Sequence, residues 1–255
     1  YNNNIMKNIY SNIFAFNEKT LKKLRDVLVR GNVVGLPTET VYGLAGNAYS
    51  KKSVDLIYKL KKRPKMNPLI VHYLNYKSAE QDVFLNKKFF KLYKKFCPGP
   101  ITFILKKKTS SKIPKTVTAN LNTIAIRFPS HRIIRTILKH NTFPLAMPSA
   151  NVSSGISPIN AENVADEFKS NIKMIIDGGK SKIGIESTVV DLTSKPKILR
   201  PGIISHILIN KVLNLKIKPS NKSRKIKSPG MFKRHYSPGI PMFLNHNSVV
   251  TKHAF

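Results

Sequence analysis

Residues 35–46 read GLPTETVYGLAG and follow the apolar pair Val33 and Val34. More than one residue in six of this chain is Lys or Arg, yet the stretch carries a single charge, Glu39. The apolar lead-in predicts a strand, and the cluster Pro37, Thr38, Thr40, Tyr42 and Gly43 predicts that it ends abruptly in exposed hydroxyls and backbone N–H groups. Such a strand end either shapes a turn, the common use of Thr and Pro there, or holds a small polar ligand. The rest of the chain decides between them.

Working outward, the elements alternate. Residues 17–30 place Leu21, Leu24 and Leu28 at helical spacing, with Gly31 as the stop. Ser50 is placed to cap a second helix whose buried face holds Val54, Ile57 and Leu60 and which ends before Pro64. PLIVHY (68–73) reads as a strand, a basic amphipathic helix covers about 86–96, and CPGP breaks it before the strand ITFILKK. TIAIRF is a strand, 131–140 a helix, PLAMPSA a strand, 160–169 a helix, and KMIIDGG a strand and turn. STVVDLT and KILRPG form a closing pair of strands, and 203–213 a last helix. This alternation means an α/β sheet with helices packed on it. Beyond residue 213 the chain turns polar, basic and proline-rich, the composition of a linker.

Composition sets outer limits. A chain of 255 residues is long enough for one large or two small domains with a real core. The single cysteine, Cys97, leaves no internal disulfide or multi-cysteine zinc site and fits a reducing compartment, so the cytoplasm is expected. No run of about 18 apolar residues is present, and YNNNIMKNIYSNIFAF lacks the apolar core of a signal peptide; no membrane association is expected. The chain opens on Tyr1, which leaves Met6 as a possible start. The net charge of +33 raises the question of nucleic acid. Lysine outnumbers arginine and is spread over KKLRDVLVR, YKLKKR and KKFFKLYKK, so compositional drift accounts for it better than a dedicated polyanion face; weak, nonspecific RNA binding is the expectation.

Neither a G-x-x-x-x-G-K-[ST] loop nor a G-x-G-x-x-G fingerprint occurs. Any nucleotide would therefore be held by side chains, and four clusters supply them. They are PTETVYG; KLKKRPKMNPLIVH, with Lys59, Lys62, Arg63, Asn67 and His72; Arg127 on the apolar strand TIAIRF; and the hydroxyl-rich PSANVSSGISP. Basic helix ends and Ser-rich loops have bland uses. An arginine inside an apolar strand needs an anionic partner. With 12 acidic residues in the chain, a bound ligand is a credible one.

Taken together, PTETVYGLAG, KLKKRP…NPLIVH, CPGPITFIL, IAIRFPS, PSANVSSGISP, IDGG, ESTVVDLT and LRPG resemble, in order and spacing, the Sua5/YrdC/YciO family over about residues 18–210. The resemblance implies a YrdC-like twisted mixed sheet with flanking helices and a basic concave active-site cavity. It implies an N-terminal extension (1–16), a YrdC-like catalytic domain (17–213), a linker or lid (214–240) and a remnant tail (241–255), the C-terminal Sua5 domain being missing or truncated. The implied activity is threonylcarbamoyl-AMP synthesis from L-threonine, bicarbonate or CO2, and ATP with Mg2+. The product would pass to t6A-transferase complex proteins that modify tRNA adenosine 37. By resemblance, Lys59 and Arg63 are catalytic; Thr40, His72, Arg127 and Ser187 bind threonine; and Arg63, Asn67, Thr123, Ser149, Asn151, Ser157, Arg200 and Tyr236 bind ATP. No protein-only metal site is implied. A carbamoyl-adenylate-forming relative and a non-catalytic RNA-binding protein on the same fold are the alternatives.

Overall fold

A computed structural model describes residues 10–218. The predicted 203–213 helix forms as α7 (His206–Leu213), capped by Ser205, and the predicted 17–30 helix as α1 (Glu18–Val29), capped by Asn17. In each case a side-chain oxygen accepts a backbone N–H of the first turn, satisfying a group the helix leaves bare. Between them lie β2 (Val34–Leu36), β3 (Gly43–Asn47), α2 (Lys51–Leu60), β4 (Ile70–His72), α3 (Tyr76–Ala79), α4 (Lys87–Phe96), β5 (Ile101–Lys106) and β6 (Thr123–Arg127). There follow α5 (Arg132–His140), β7 (Leu145–Ala146), α6 (Ala161–Phe168), β8 (Ile175–Asp177), β9 (Thr188–Asp191) and β10 (Lys197–Arg200). Ser50 caps α2 as its sequence predicts.

The α/β expectation holds. With β1 (Ile13–Ala15), the strands make one ten-stranded sheet in the order β1-β8-β2-β3-β7-β4-β6-β5-β9-β10. It is mixed: β1/β8, β2/β8, β4/β6 and β5/β9 run parallel, while β2/β3, β3/β7, β4/β7, β5/β6 and β9/β10 run antiparallel. Two strands escape a reading by hydrophobic periodicity. β1 lies inside the stretch expected to be an N-terminal extension, so the sheet begins upstream of residue 17. β3 is the segment GLAGN, whose glycines disguise a strand; Gly43 and Gly46 are there because an added Cβ would meet Met147 at 2.4 Å and Ser53 at 3.0 Å.

Strand parity separates core from site. Val71, Phe103 and Ile126 point into the main core, where Phe89, Tyr93 and Phe128 pack their rings. The alternate residues Ile70, Ile104 and Ala125 face the other way and, with Val189 and Leu199, form a small separate apolar cluster. His72, Thr102 and Arg127 continue that second face toward the strand ends. Because β4 pairs β6 in parallel and β5 pairs β6 antiparallel, His72 and Thr102 are both register partners of Arg127. The sheet thus delivers a histidine, a threonine and an arginine side by side.

Candidate functional site

A cavity of about 520 Å³ opens over these strand ends. Its walls come from separate parts of the chain: the β2–β3 connection (Thr38, Thr40, Tyr42), the turn after α2 (Lys61, Arg63, Asn67), His72 and Arg127, the loop after β7 (Ser149, Asn151, Ser153), and Glu186, Ser187 and Arg200. PTETVYG is therefore both of the things its sequence allows, a turn and a wall. Within it the Thr38 hydroxyl donates to Val41 O at 2.7 Å and lies 2.9 Å from the Thr40 hydroxyl. Residues 181–184 strap the turn from outside: Ile183 N–H donates to Glu39 O and Gly184 N–H to Thr40 O.

Arg127 has a partner the sequence reading did not give it. Glu39 is a counter-anion within the chain itself: Nη2 donates to Glu39 Oε1 at 2.7 Å, and Ser130 N–H donates to Glu39 Oε2 at 3.2 Å. Burial by itself would raise the Glu39 carboxyl, but the charge and hydrogen bond of Arg127 outweigh it and hold the group below its ordinary value. Arg127 Nε is buried and has no partner. Neither ring nitrogen of His72 makes a well-formed hydrogen bond, and burial together with the Arg127 charge holds this imidazole well below its ordinary value. It is neutral at physiological pH. The Ile70 and Leu145 backbones interact with the His72 ring without well-formed geometry, so the unpartnered Arg127 Nε–H beside a neutral imidazole makes a polar set that a ligand would complete.

On the turn after α2, Arg63 Nε donates to Asn67 O, and Nη2 donates to Asn67 Oδ1 at 2.6 Å and Pro68 O at 2.8 Å. The two residues expected to act together are thus bonded to each other. Burial lowers the Arg63 guanidinium to about 10, still a cation at neutral pH. Arg200 is fixed in the same manner, with Nη1 on Glu186 Oε2 at 2.6 Å, Nε on Ser187 O and Nη2 on Ser187 Oγ. Ser187 Oγ also lies 2.7 Å from Thr102 Oγ1.

Of the residues singled out in the sequence, Thr40, Arg63, Asn67, His72, Arg127, Ser149, Asn151, Ser187 and Arg200 line this one cavity. Three do not. Lys59 is exposed on α2, because two residues at 100° each turn it about 200° away from the face that reaches the site. The lysine on the cavity is Lys61, seven residues after Val54 and four after Ile57, on the helix's buried face. Its Nζ donates to Ser149 O at 2.6 Å and to Asn151 O, while Ser153 N–H donates to its carbonyl. Burial and the neighbouring Arg63 charge lower this ammonium to about 7, against the pull of Glu186 and Glu167. Thr123 begins β6, four residues before Arg127 and so about 13 Å along the strand. Ser157 lines an adjoining cavity of about 370 Å³ that shares Asn151. Tyr236 and the segment SPGMFKRHYSP lie outside the described residues.

The missed residues left uneven traces. Lys61 had a signal in the Val54, Ile57, Lys61 spacing, hidden among five other lysines at 59–65 and 51–52. Glu39 and Glu186 had none, since nothing local says that a carboxylate will be buried against an arginine 88 positions away in one case and 14 in the other.

Comparison with known proteins accords with this geometry. The family model described as telomere recombination, Sua5/YciO/YrdC, matches residues 26–202. The chain belongs to the Sua5/YciO/YrdC family. A second model, described as the threonylcarbamoyl-AMP synthase C-terminal domain, matches residues 204–254, which overturns the expectation that this domain is missing or truncated. Threonylcarbamoyl-AMP synthase of Pyrococcus abyssi is 42% identical over 223 residues, covering 84% of this chain and 64% of its own. The Bacillus subtilis protein of that name is 38% identical over 237 residues, covering 91% and 68%. The chain thus spans about two thirds of the length of the curated relatives it matches. A crystal structure of P. abyssi Sua5 complexed with L-threonine superposes with a TM-score of 0.85 at 37% identity, covering 90% of this chain and 70% of that one.

Proposed function

We propose that this chain makes threonylcarbamoyl-AMP and pyrophosphate from L-threonine, bicarbonate or CO2, and ATP. One observation carries the reading: a single cavity unites an unsatisfied Arg127 Nε and neutral His72 with Lys61 and the cations of Arg63 and Arg200. An amino-acid carboxylate and a triphosphate are the anions such a cavity suits.

In this reading Arg127 donates Nε–H to the threonine carboxylate while Glu39 steadies the other edge of the guanidinium. His72 accepts from the threonine amino or hydroxyl group, and Thr40 and Ser187 complete that subsite. Arg63, Asn67, Ser149, Asn151 and Arg200 hold ATP, and Lys61 adds charge where phosphates gather. A carbamate oxygen then attacks the α-phosphorus, its new P–O bond replacing the bond to the departing pyrophosphate. The carbamate is short-lived, so forming it beside its target supplies much of the rate; orientation of this kind is worth roughly 7 to 11 kcal/mol. Fixed cations offset the charge that develops. No side chain needs to become covalently attached. Among the described residues no group of three or more His, Cys, Asp or Glu stands together to hold a metal; Mg2+ would enter on the ATP phosphates.

The product is an activated acyl-adenylate, suited to transfer of the threonylcarbamoyl group to tRNA adenosine 37 by separate t6A-transferase proteins in the cytoplasm. Among the described residues no helix is long and apolar enough to cross a membrane. Threonine-dependent exchange of labelled pyrophosphate into ATP tests the activity. Exchange that needs both threonine and bicarbonate is expected. Exchange indifferent to threonine would favour a carbamoyl-adenylate relative, and none at all a non-catalytic protein.

A further inference from the structure

One register row crosses five strands: His72 on β4, Arg127 on β6, Thr102 on β5, Val189 on β9 and Arg200 on β10. Thr102 therefore stands between the two arginines of the cavity, and nothing in the proposed chemistry uses it. The turn CPGP sets it there. Gly99 N–H donates to Phe128 O at 2.8 Å and Thr188 N–H donates to Pro100 O at 3.0 Å, which ties the start of β5 to the chain on both sides of it. A Cβ on Gly99 would meet Phe96 O at 2.4 Å, so the turn needs glycine.

Thr102 and Ser187 are both buried, but only Ser187 lines the cavity. Their hydroxyl oxygens are 2.7 Å apart, and Ser187 Oγ also accepts from Arg200 Nη2 at 3.1 Å. Among the described residues neither hydroxyl makes any other hydrogen bond. Two hydroxyls bring two protons, and the bond between them uses one. If Ser187 donated to Thr102, the spare proton would sit on Thr102, behind the cavity wall, as a buried donor with no acceptor. If Thr102 donates to Ser187, the spare proton sits on the cavity wall, where a ligand oxygen satisfies it.

We propose that Thr102 is a positioning residue that fixes the polarity of Ser187. Thr102 donates to Ser187 Oγ, Arg200 donates to its other lone pair, and the Ser187 hydroxyl is left able only to donate. Its partner is then an anionic oxygen of the bound substrate and never an ammonium or a hydroxyl proton. The inference rests on the threonine subsite proposed above, in which that oxygen belongs to the carboxylate held by Arg127 Nε.

The test is a double-mutant cycle on the full chain, read by calorimetric titration of threonine and, separately, of ATP. Thr102→Val keeps the side-chain shape and removes the donor. It should weaken threonine binding about 3- to 10-fold, the scale of one hydrogen bond, while its thermal melt stays close to wild type. Thr102→Ser keeps the hydroxyl and should bind threonine nearly as wild type does. In a Ser187→Ala background, Thr102→Val should cost no further affinity, because Thr102 acts through Ser187. A loss confined to ATP would support the same role with a phosphate oxygen as the acceptor. Additive losses would overturn the proposal by making Thr102 independent of Ser187. Equal losses in Thr102→Ser and Thr102→Val would overturn it by reducing the residue to packing, and so would unchanged affinity for both substrates. Titration needs no turnover: wild type that binds both substrates without forming the adenylate would refute the proposed activity and leave this cycle to decide the hydroxyl pair, and wild type that binds neither would refute both.

Discussion

Glu39 Oε1 accepts a 2.7 Å hydrogen bond from Arg127 Nη2 where both side chains are buried, leaving Arg127 Nε as the guanidinium's unsatisfied edge. The pair has a structural role and, in the proposed function, a binding role, and substitutions separate them. Arg127→Lys cannot reproduce the fork, so threonine affinity should fall by about 10- to 100-fold, the loss of one to two charge-assisted hydrogen bonds. ATP affinity should be retained. Calorimetric titration of each substrate checks both halves.

Removing the carboxylate is expected to cost stability. Glu39→Ala strands a buried guanidinium and should destabilise the fold by about 3–5 kcal/mol in denaturant unfolding. The pair also sets an acid limit. The folded Glu39 carboxyl lies below its ordinary 4.5, so the unfolded chain binds more protons and stability rises with pH in that region. The contribution is present above about pH 4.5 and lost as pH falls through the folded value. Wild type should lose stability across that range more steeply than Glu39→Gln.

Lys61 and Lys59 make a paired prediction. Lys59→Ala should leave the proposed synthesis within about twofold, as expected for an exposed side chain. Lys61→Met should reduce it on the order of a hundredfold, the scale of losing one preorganised electrostatic group.

Lys61 also predicts a proton signature. Its folded value of about 7 lies below the ordinary 10.5, so the unfolded chain binds more protons between these values, and this group makes the free protein more stable as pH rises from 7 toward 10.5. Phosphate favours the charged form, so ATP binding near pH 7.5 should take up protons, visible as a buffer-dependent heat of binding. Lys61→Met should abolish that uptake. If it persists in the variant, Lys61 does not face the phosphates.

Gly202 is held by packing alone. A Cβ there would stand 2.6 Å from Thr188 N and 2.8 Å from Glu186 O, at the start of β9 beside the Arg200 clamp. Gly202→Ala should destabilise the fold by about 1–3 kcal/mol, as overpacking does, and a thermal melt measures it.

What the sequence made legible was what repeats or punctuates. Helices α1, α2, α4 and α5 show in their apolar spacing and caps, and β5 and β6 in unbroken apolar runs. Arg127 stood out as a charge in such a run. What it concealed was set by distant partners: β1 has three residues and exists because β8 lies beside it, and β3 is rich in glycine where its neighbours need the room. The gathering of Thr40, Arg63, His72 and Arg200 into one cavity follows from strand order. No single segment encodes that.

The account is tested most directly by incubating the purified chain with ATP, Mg2+, bicarbonate and L-threonine and detecting the product by mass spectrometry, for wild type and Arg127→Lys over a range of threonine concentrations. It predicts threonylcarbamoyl-AMP and pyrophosphate in equal amounts, with the variant recovering toward the wild-type rate as threonine is raised. Absence of the adenylate from folded wild-type protein, or a variant with unchanged threonine dependence, would contradict it.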